Sequence, residues 1–274
     1  MFEEIMENVR NARPLVHCIT NYVTVNDCAN ILLAAGASPI MADDIAEVEE
    51  ITSICGALAI NIGTLNGRTV ASMQKAGKQA NALGHPVVLD PVGAGASALR
   101  TDTALDLKNN IRFAVIRGNI SEIKTIARGS GTTKGVDADL SDAVTAGNLK
   151  EAVRFARDLS SREGAVIAIT GAVDIVADVD RAYVIRNGHP MMSRITGTGC
   201  MLTALIAGFC GANPDAMLDA TAAAVCSMGI CGEIAHAKTM EAGGGTGTFR
   251  VQLMDAMSRM DAQQLNGGMK IEIM

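Results

Sequence analysis

Residues 196–200 read Thr196-Gly197-Thr198-Gly199-Cys200 and run straight into 201–207, an uninterrupted helix former. Glycines just ahead of a helix let backbone N–H groups turn toward an anion, and the helix N-terminus adds partial positive charge. Donors of this kind suit a phosphoryl group in transfer, with Gly197, Thr198 and Gly199 as the anion-holding turn. An ordinary strand-to-helix turn can have the same residues. There is no Walker A lysine, and Met201-Leu202 break GxGxxG. Cys200 falls in the first helical turn, where the helix dipole favours the thiolate and the thiol pKa is expected to fall. It reads either as an acceptor for a substrate hydroxyl proton or as a small residue packed under the anion.

Two carboxylates carry the next possibility. Asp90 follows the apolar run Val87-Val88-Leu89 and opens Asp90-Pro91-Val92-Gly93-Ala94-Gly95. At a strand end beside a glycine loop it could hold Mg²⁺ through water, or it could cap a turn. Glu122 lies three residues after Asn119, the spacing of a capping box, which by itself can account for both. It could equally face the same cleft as a second Mg²⁺-linked carboxylate. Arg117 just ahead could grip phosphate oxygens with its planar fork.

These residues need elements to hold them. Short apolar runs at 15–19, 38–41, 57–62, 86–90, 113–116 and 165–169 alternate with amphipathic stretches at 23–35, 46–54, 68–83, 101–110, 119–127 and 149–161. That rhythm predicts an α/β fold, a mostly parallel sheet with helices on both faces. Alternation at 174–177 and 181–186 around Asp178-Val179-Asp180 predicts an antiparallel hairpin. Helices are expected at 199–210, 214–237 and from 248 to about 260, giving a helical C-terminal part. Residues 129–135 read as a flexible loop and 267–274 as a poorly ordered tail. No Pro-, Ser- or charge-rich linker divides the chain, so residues 1–274 read as one domain. The polar strand ends (Thr20-Asn21, Met41-Ala42-Asp43, Asn61-Ile62-Gly63-Thr64, Asp90-Pro91, Arg117-Gly118-Asn119, Thr170-Gly171) outline one cleft, since open α/β sheets bind ligands beyond the strand carboxyl ends.

Composition narrows the partners. Hydrophobic residues make up 49% and charged residues 19% of 274, enough for a substantial core. A net charge of −6 and no basic run argue against nucleic acid. Seven cysteines with no CxxC pair, together with a start that lacks the basic-then-apolar order of a signal peptide, suggest the cytoplasm. The apolar stretches at 201–212 and 216–224 are interrupted and read as too short to span a bilayer. The four histidines show no metal-ligand spacing. A dinucleotide-dependent oxidoreductase is disfavoured, because Thr20-Asn21-Tyr22 rather than GxGxxG follows the first strand.

Taken together, Leu15-Val16-His17-Cys18-Ile19-Thr20-Asn21, Gly36-Ala37-Ser38-Pro39-Ile40-Met41-Ala42, Asn61-Ile62-Gly63-Thr64-Leu65, Asp90–Ala96, Ile116–Glu122, Ala168-Ile169-Thr170-Gly171 and the Thr196–Cys200 turn occur in an order that resembles the hydroxyethylthiazole kinase family, a thiamin-salvage branch of the ribokinase-like superfamily. The resemblance covers almost the whole chain. It implies an ATP-dependent kinase for the primary hydroxyl of hydroxyethylthiazole. Met41, Gly63 and Gly197 would bind the thiazole, and Asn21, Arg117 and Thr170 would bind ATP. Asp90 and Glu122 would organise Mg²⁺, and Cys200 would stand where most ribokinase-like enzymes have an aspartate base. It also implies a homotrimer with active sites at subunit interfaces. Cys200 and Met41 weigh against a hydroxymethylpyrimidine kinase of the same superfamily, and intact Asp90, Glu122 and Cys200 against a noncatalytic binding protein. The chain departs from many relatives at Gly245-Thr246-Gly247-Thr248-Phe249, where they place a proline between the glycines.

Overall fold

The computed structural model describes residues 1–129, 144–145 and 147–274. Six parallel strands form its centre: β1 (Leu15–Ile19), β2 (Ser38–Ile40), β3 (Ala57–Asn61), β4 (Val87–Asp90), β5 (Val115–Gly118) and β6 (Val166–Ile169). β7 (Asp174–Ala177), β8 (Ala182–Ile185) and β9 (Ile271–Ile273) then add antiparallel strands, in the order β2-β1-β3-β4-β5-β6-β7-β8-β9. The strands β3, β4 and β6 are buried along their whole length, which is why they read as unbroken apolar runs rather than alternating ones. β5 lies two residues later than its expected place, because its ladder to β4 pairs Val88 with Val115. Arg117 is thereby inside the strand.

Helices cover both faces. α2 (Val25–Ala35), α8 (Thr198–Ala212), α9 (Met217–Glu241) and α10 (Thr246–Arg259), with α1 (Glu3–Ala12), enclose a core that includes Val16, Cys18, Leu205 and Phe209. The opposite face packs α3 (Val48–Ile54), α4 (Gly67–Leu83), α5 (Ala98–Asn110), α6 (Ile120–Arg128) and α7 (Leu149–Glu163) on Ile19, Leu58, Ile60 and Leu89. α4 starts on a capping box in which Asn66 accepts from Arg68 and Thr69 and Thr69 answers the Asn66 backbone.

Two expectations change, and a third falls outside the described residues. Residues 267–274 are not a loose tail. After α11 (Ala262–Gly268), β9 pairs along β8, with Lys270 N–H donating to Asn187 Oδ1 at 2.8 Å. A three-residue edge strand is too short for its alternation to stand out, and its partner lies far away in sequence. Second, α9 runs 25 residues and is apolar enough to cross a membrane by length and composition, yet it is mostly buried as a core helix. Third, the expected loop at 129–135 falls, beyond Gly129, outside the described residues.

Candidate active site

Because β1, β3, β4, β5 and β6 are parallel and adjacent, their carboxyl ends deliver Asn21, Asn61, Asp90, Arg117 and Thr170 to one edge of the sheet. α8 brings Cys200 onto the same edge. Asn21 accepts the Thr24 backbone N–H and the Thr24 hydroxyl on Oδ1, at 3.1 and 3.0 Å. A backbone N–H can only donate, so this fixes which end of the Asn21 amide is oxygen. Its Nδ2 must then point the other way, and there it meets Asn61 Oδ1 at 3.0 Å and Cys200 Sγ at 3.2 Å. Cys200 is therefore held as an acceptor, with its own proton free of Asn21.

Asp90 is fully buried and is the hub of the next group. Its Oδ2 accepts from Asn61 Nδ2 and Thr203 Oγ1, both at 2.8 Å, and lies 3.5 Å from Arg117 Nη1. Burial pushes the carboxyl up, and Arg117, Thr203 and Asn61 push back. Asp90 Oδ1 is buried with no hydrogen-bond partner among the described residues. Arg117 reaches across to donate to Thr170 Oγ1 at 2.5 Å.

The anion turn sits against this guanidinium. Gly197 has φ 89°, a left-handed conformation, and a Cβ there would lie 2.7 Å from Thr24 Cγ2. A Cβ on Gly199 would lie 2.6 Å from Arg117 Nη1. Both glycines are needed for the backbone to approach so closely. The Thr198 hydroxyl is turned away, toward the Met192 carbonyl at 3.3 Å in the 3-10 turn Pro190–Arg194.

Glu122 keeps its capping box. Asn119 Oδ1 accepts from Glu122 N at 2.9 Å, and Glu122 Oε2 accepts from Asn119 N at 2.8 Å. The other oxygen accepts from Gly93 N at 2.7 Å, tying α6 to the loop after β4. Burial, with the Asp90 charge nearby, pushes this carboxyl up to about 7 against those two N–H bonds.

Direct contacts thus join Asn21, Gly63, Asp90, Arg117, Thr170 and Cys200, with Gly199 against the Arg117 guanidinium, whereas Glu122 reaches Asp90 and Arg117 through charge alone. Gly63 belongs because its backbone N–H donates to Asn61 Oδ1 at 2.9 Å. Met41 lies outside this hydrogen-bonded group, half-buried just beyond β2, and packs on the same core as Cys200. The expectation of a low Cys200 pKa is corrected. Burial, then the Asp90 charge, raises the thiol above its ordinary value, although hydrogen bonds from Thr24, Asn21 and Asn61 oppose the rise. Desolvation outweighs the helix dipole there. Sequence reasoning missed Thr24 and Thr203, and named Asn61 only as a strand end of the cleft, without a role. Of these, Thr203 carried a signal, since it lies three residues after Cys200, on the next turn of α8.

The family model for the hydroxyethylthiazole kinase family matches residues 6–263. The chain belongs to the hydroxyethylthiazole kinase family. It is 58% identical to the hydroxyethylthiazole kinase of Clostridium acetobutylicum, over 99% of both chains. The solved structure of the hydroxyethylthiazole kinase protein of Pyrococcus horikoshii superposes with a TM-score of 0.87 at 37% identity, covering 100% of this chain and 98% of that one. A ribokinase-like superfamily protein of Enterococcus faecalis, 13% identical, matches with a TM-score of 0.61 over 94% of this chain and 95% of its own, and shows the shared fold.

Proposed function

We propose that the protein transfers the γ-phosphoryl group of ATP to the primary hydroxyl of hydroxyethylthiazole, a thiamin-salvage reaction. The observation that carries this reading, in a member of this family, is the close approach of the Arg117 guanidinium to the Gly199 backbone beside a Cys200 thiol held by Asn21. The hydroxyl oxygen forms a bond to the γ-phosphorus as the bond to the ADP oxygen breaks, and the hydroxyl proton passes to Cys200 Sγ in its thiolate form, the thiol proton having first left to solvent. Backbone N–H groups of Gly197–Cys200 receive charge on the transferring oxygens, and Arg117 neutralises the phosphate end. Thr170 orients Arg117 through its hydroxyl. Met41, Gly63 and Gly197 line the thiazole side. All four hydrogen-bonding positions of the Asn21 side chain are taken within the protein, so its contribution to the nucleotide end runs through Cys200 and Asn61.

The carboxylates fit a hydrated Mg²⁺. Asp90 keeps one buried oxygen free of any donor among the described residues, and Glu122 stands near enough for their charges to repel. Bound Mg²⁺ supplies charge neutralisation on the nucleotide phosphates. We read residues 1–274 as one kinase domain. We also place the protein in the cytoplasm, in keeping with seven free thiols. A homotrimer with interfacial sites agrees with the exposure of Tyr22 and Val23 directly beside Asn21.

Release of ADP, coupled to a spectroscopic readout with and without hydroxyethylthiazole, tests the reaction. Thiazole-dependent release is expected. Release that answers to hydroxymethylpyrimidine instead, or to neither alcohol, overturns it. Light scattering on the eluting protein should return three subunits, and a monomer would remove the interfacial reading.

A further inference from the structure

His17 is a buried ionisable residue with no part in the chemistry above. It lies on β1, fully enclosed, and both ring nitrogens are engaged: Nε2 with the Ala42 carbonyl at 2.8 Å and Nδ1 with Thr52 Oγ1 at 2.9 Å. A carbonyl can only accept, so Nε2 carries a proton. The Thr52 hydroxyl, beside Nδ1, donates to the Val48 carbonyl at 2.6 Å. Burial lowers the imidazole pKa. The Nε2–H is set by the Ala42 carbonyl, with Thr52 buttressing the other side of the ring.

What this ring holds is the chain on either side of Met41. The β1–β2 ladder ends at the pair His17–Ile40. Two residues later the Ala42 carbonyl, on a buried residue past the end of the ladder, would have lost its strand partner, and His17 Nε2–H takes it. Met41 is thus suspended between two anchor points that belong to one residue. Its side chain packs on the core that also receives Cys200.

We propose that His17, its Nε2–H donated to the Ala42 carbonyl, is a positioning residue that holds Met41 for the alcohol substrate. The proposal rests on the reading that Met41 lines the thiazole side. Steady-state kinetics on His17→Leu, His17→Gln and Met41→Ala test it. Removing the donor from a buried carbonyl should raise KM for the thiazole alcohol roughly tenfold. KM for ATP and kcat should stay within about twofold, because Met41 lies outside the hydrogen-bonded group of Arg117, Asp90 and Cys200. His17→Gln, whose amide N–H can reach Ala42, should recover most of that loss. If Met41→Ala leaves KM for the alcohol unchanged, the Met41 reading falls and takes the proposal with it. If Met41→Ala raises KM but His17→Leu does not, or lowers kcat and both affinities alike, the proposal alone is overturned. Should His17→Leu fail to fold, His17→Gln and nitrogen NMR on histidine-labelled wild-type protein still decide. A Gln variant no better than a fivefold loss, or a ring without a proton at Nε2 at neutral pH, overturns the proposal.

Discussion

At Asn21 the direction of one amide decides the state of a thiol. The Thr24 N–H fixes the amide oxygen, which leaves Nδ2 to donate to Cys200. A donor to sulfur stabilises thiolate over thiol, so Asn21 works against the burial and the Asp90 charge that raise the Cys200 pKa. The other six cysteines are buried, so alkylation by iodoacetamide reports chiefly on Cys200. In the wild type, the pH midpoint of alkylation should lie above that of a free thiol. In Asn21→Ala it should rise further, with the rate at pH 8 falling by roughly three- to tenfold. The midpoint is insensitive to a change in access, which alters the rate at every pH. A midpoint that stays put or falls in the variant would remove Asn21 from this role.

Between the residue and the whole molecule, the segment before the anion turn is strapped to α9 through absent side chains. A Cβ on Gly229 would lie 2.6 Å from Asn187 Cβ and 2.9 Å from its backbone carbon, whereas one on Gly232 would meet the flexible end of Met192. Backbone cannot give as a thioether can. Gly229→Ala should therefore cost about 1–3 kcal/mol in urea unfolding, and Gly232→Ala clearly less. Equal losses would mean that the two contacts yield alike. The same contrast explains what the sequence could tell. The runs that became β3, β4 and β6 were legible because burial on both faces leaves them apolar up to their carboxyl ends, and the glycine turn because its residues are contiguous. The capping box at Asn119 and Glu122 was legible too, being local. Thr24, Thr203 and the role of Asn61 were not, since a polar residue announces no distant partner, and Asn61 acquires its role only when β3 and β4 align it with Asp90. The Cys200 pKa went the wrong way for the same reason: the helix dipole is local, whereas desolvation belongs to the assembled site. β9 and the straps on α9 required the tertiary fold.

Across the molecule, the sheet changes from parallel to antiparallel after β6, and both consequences can be measured. β9 covers the edge of β8, and Lys270 adds an ion pair to Glu233 at 2.8 Å. Deleting residues 270–274 should lower Tm by several degrees and promote association through the bared edge, seen in light scattering on warming. A truncated protein with unchanged Tm would show that β9 is dispensable. At the junction itself, Asp174 begins β7 and accepts the Gly171 N–H at 2.8 Å on Oδ1. Asp174 is half-buried at the surface, but the packing around its carboxyl desolvates it and pushes it from an ordinary 3.8 up to about 7, against that N–H and the Arg117 charge. Between those two values the folded chain keeps a proton that the unfolded chain releases. The stability contributed by this group is therefore complete below about pH 4 and is lost as pH rises through about 7. An asparagine side chain in place of Asp174 can still accept the Gly171 N–H but has no proton to lose. Urea unfolding of Asp174→Asn and wild type at a series of pH values should give curves that agree near pH 4 and separate steadily toward pH 7, with the variant the more stable above it. Curves that run parallel from pH 4 to 8 would show that Asp174 ionises in the folded protein as freely as in the unfolded chain.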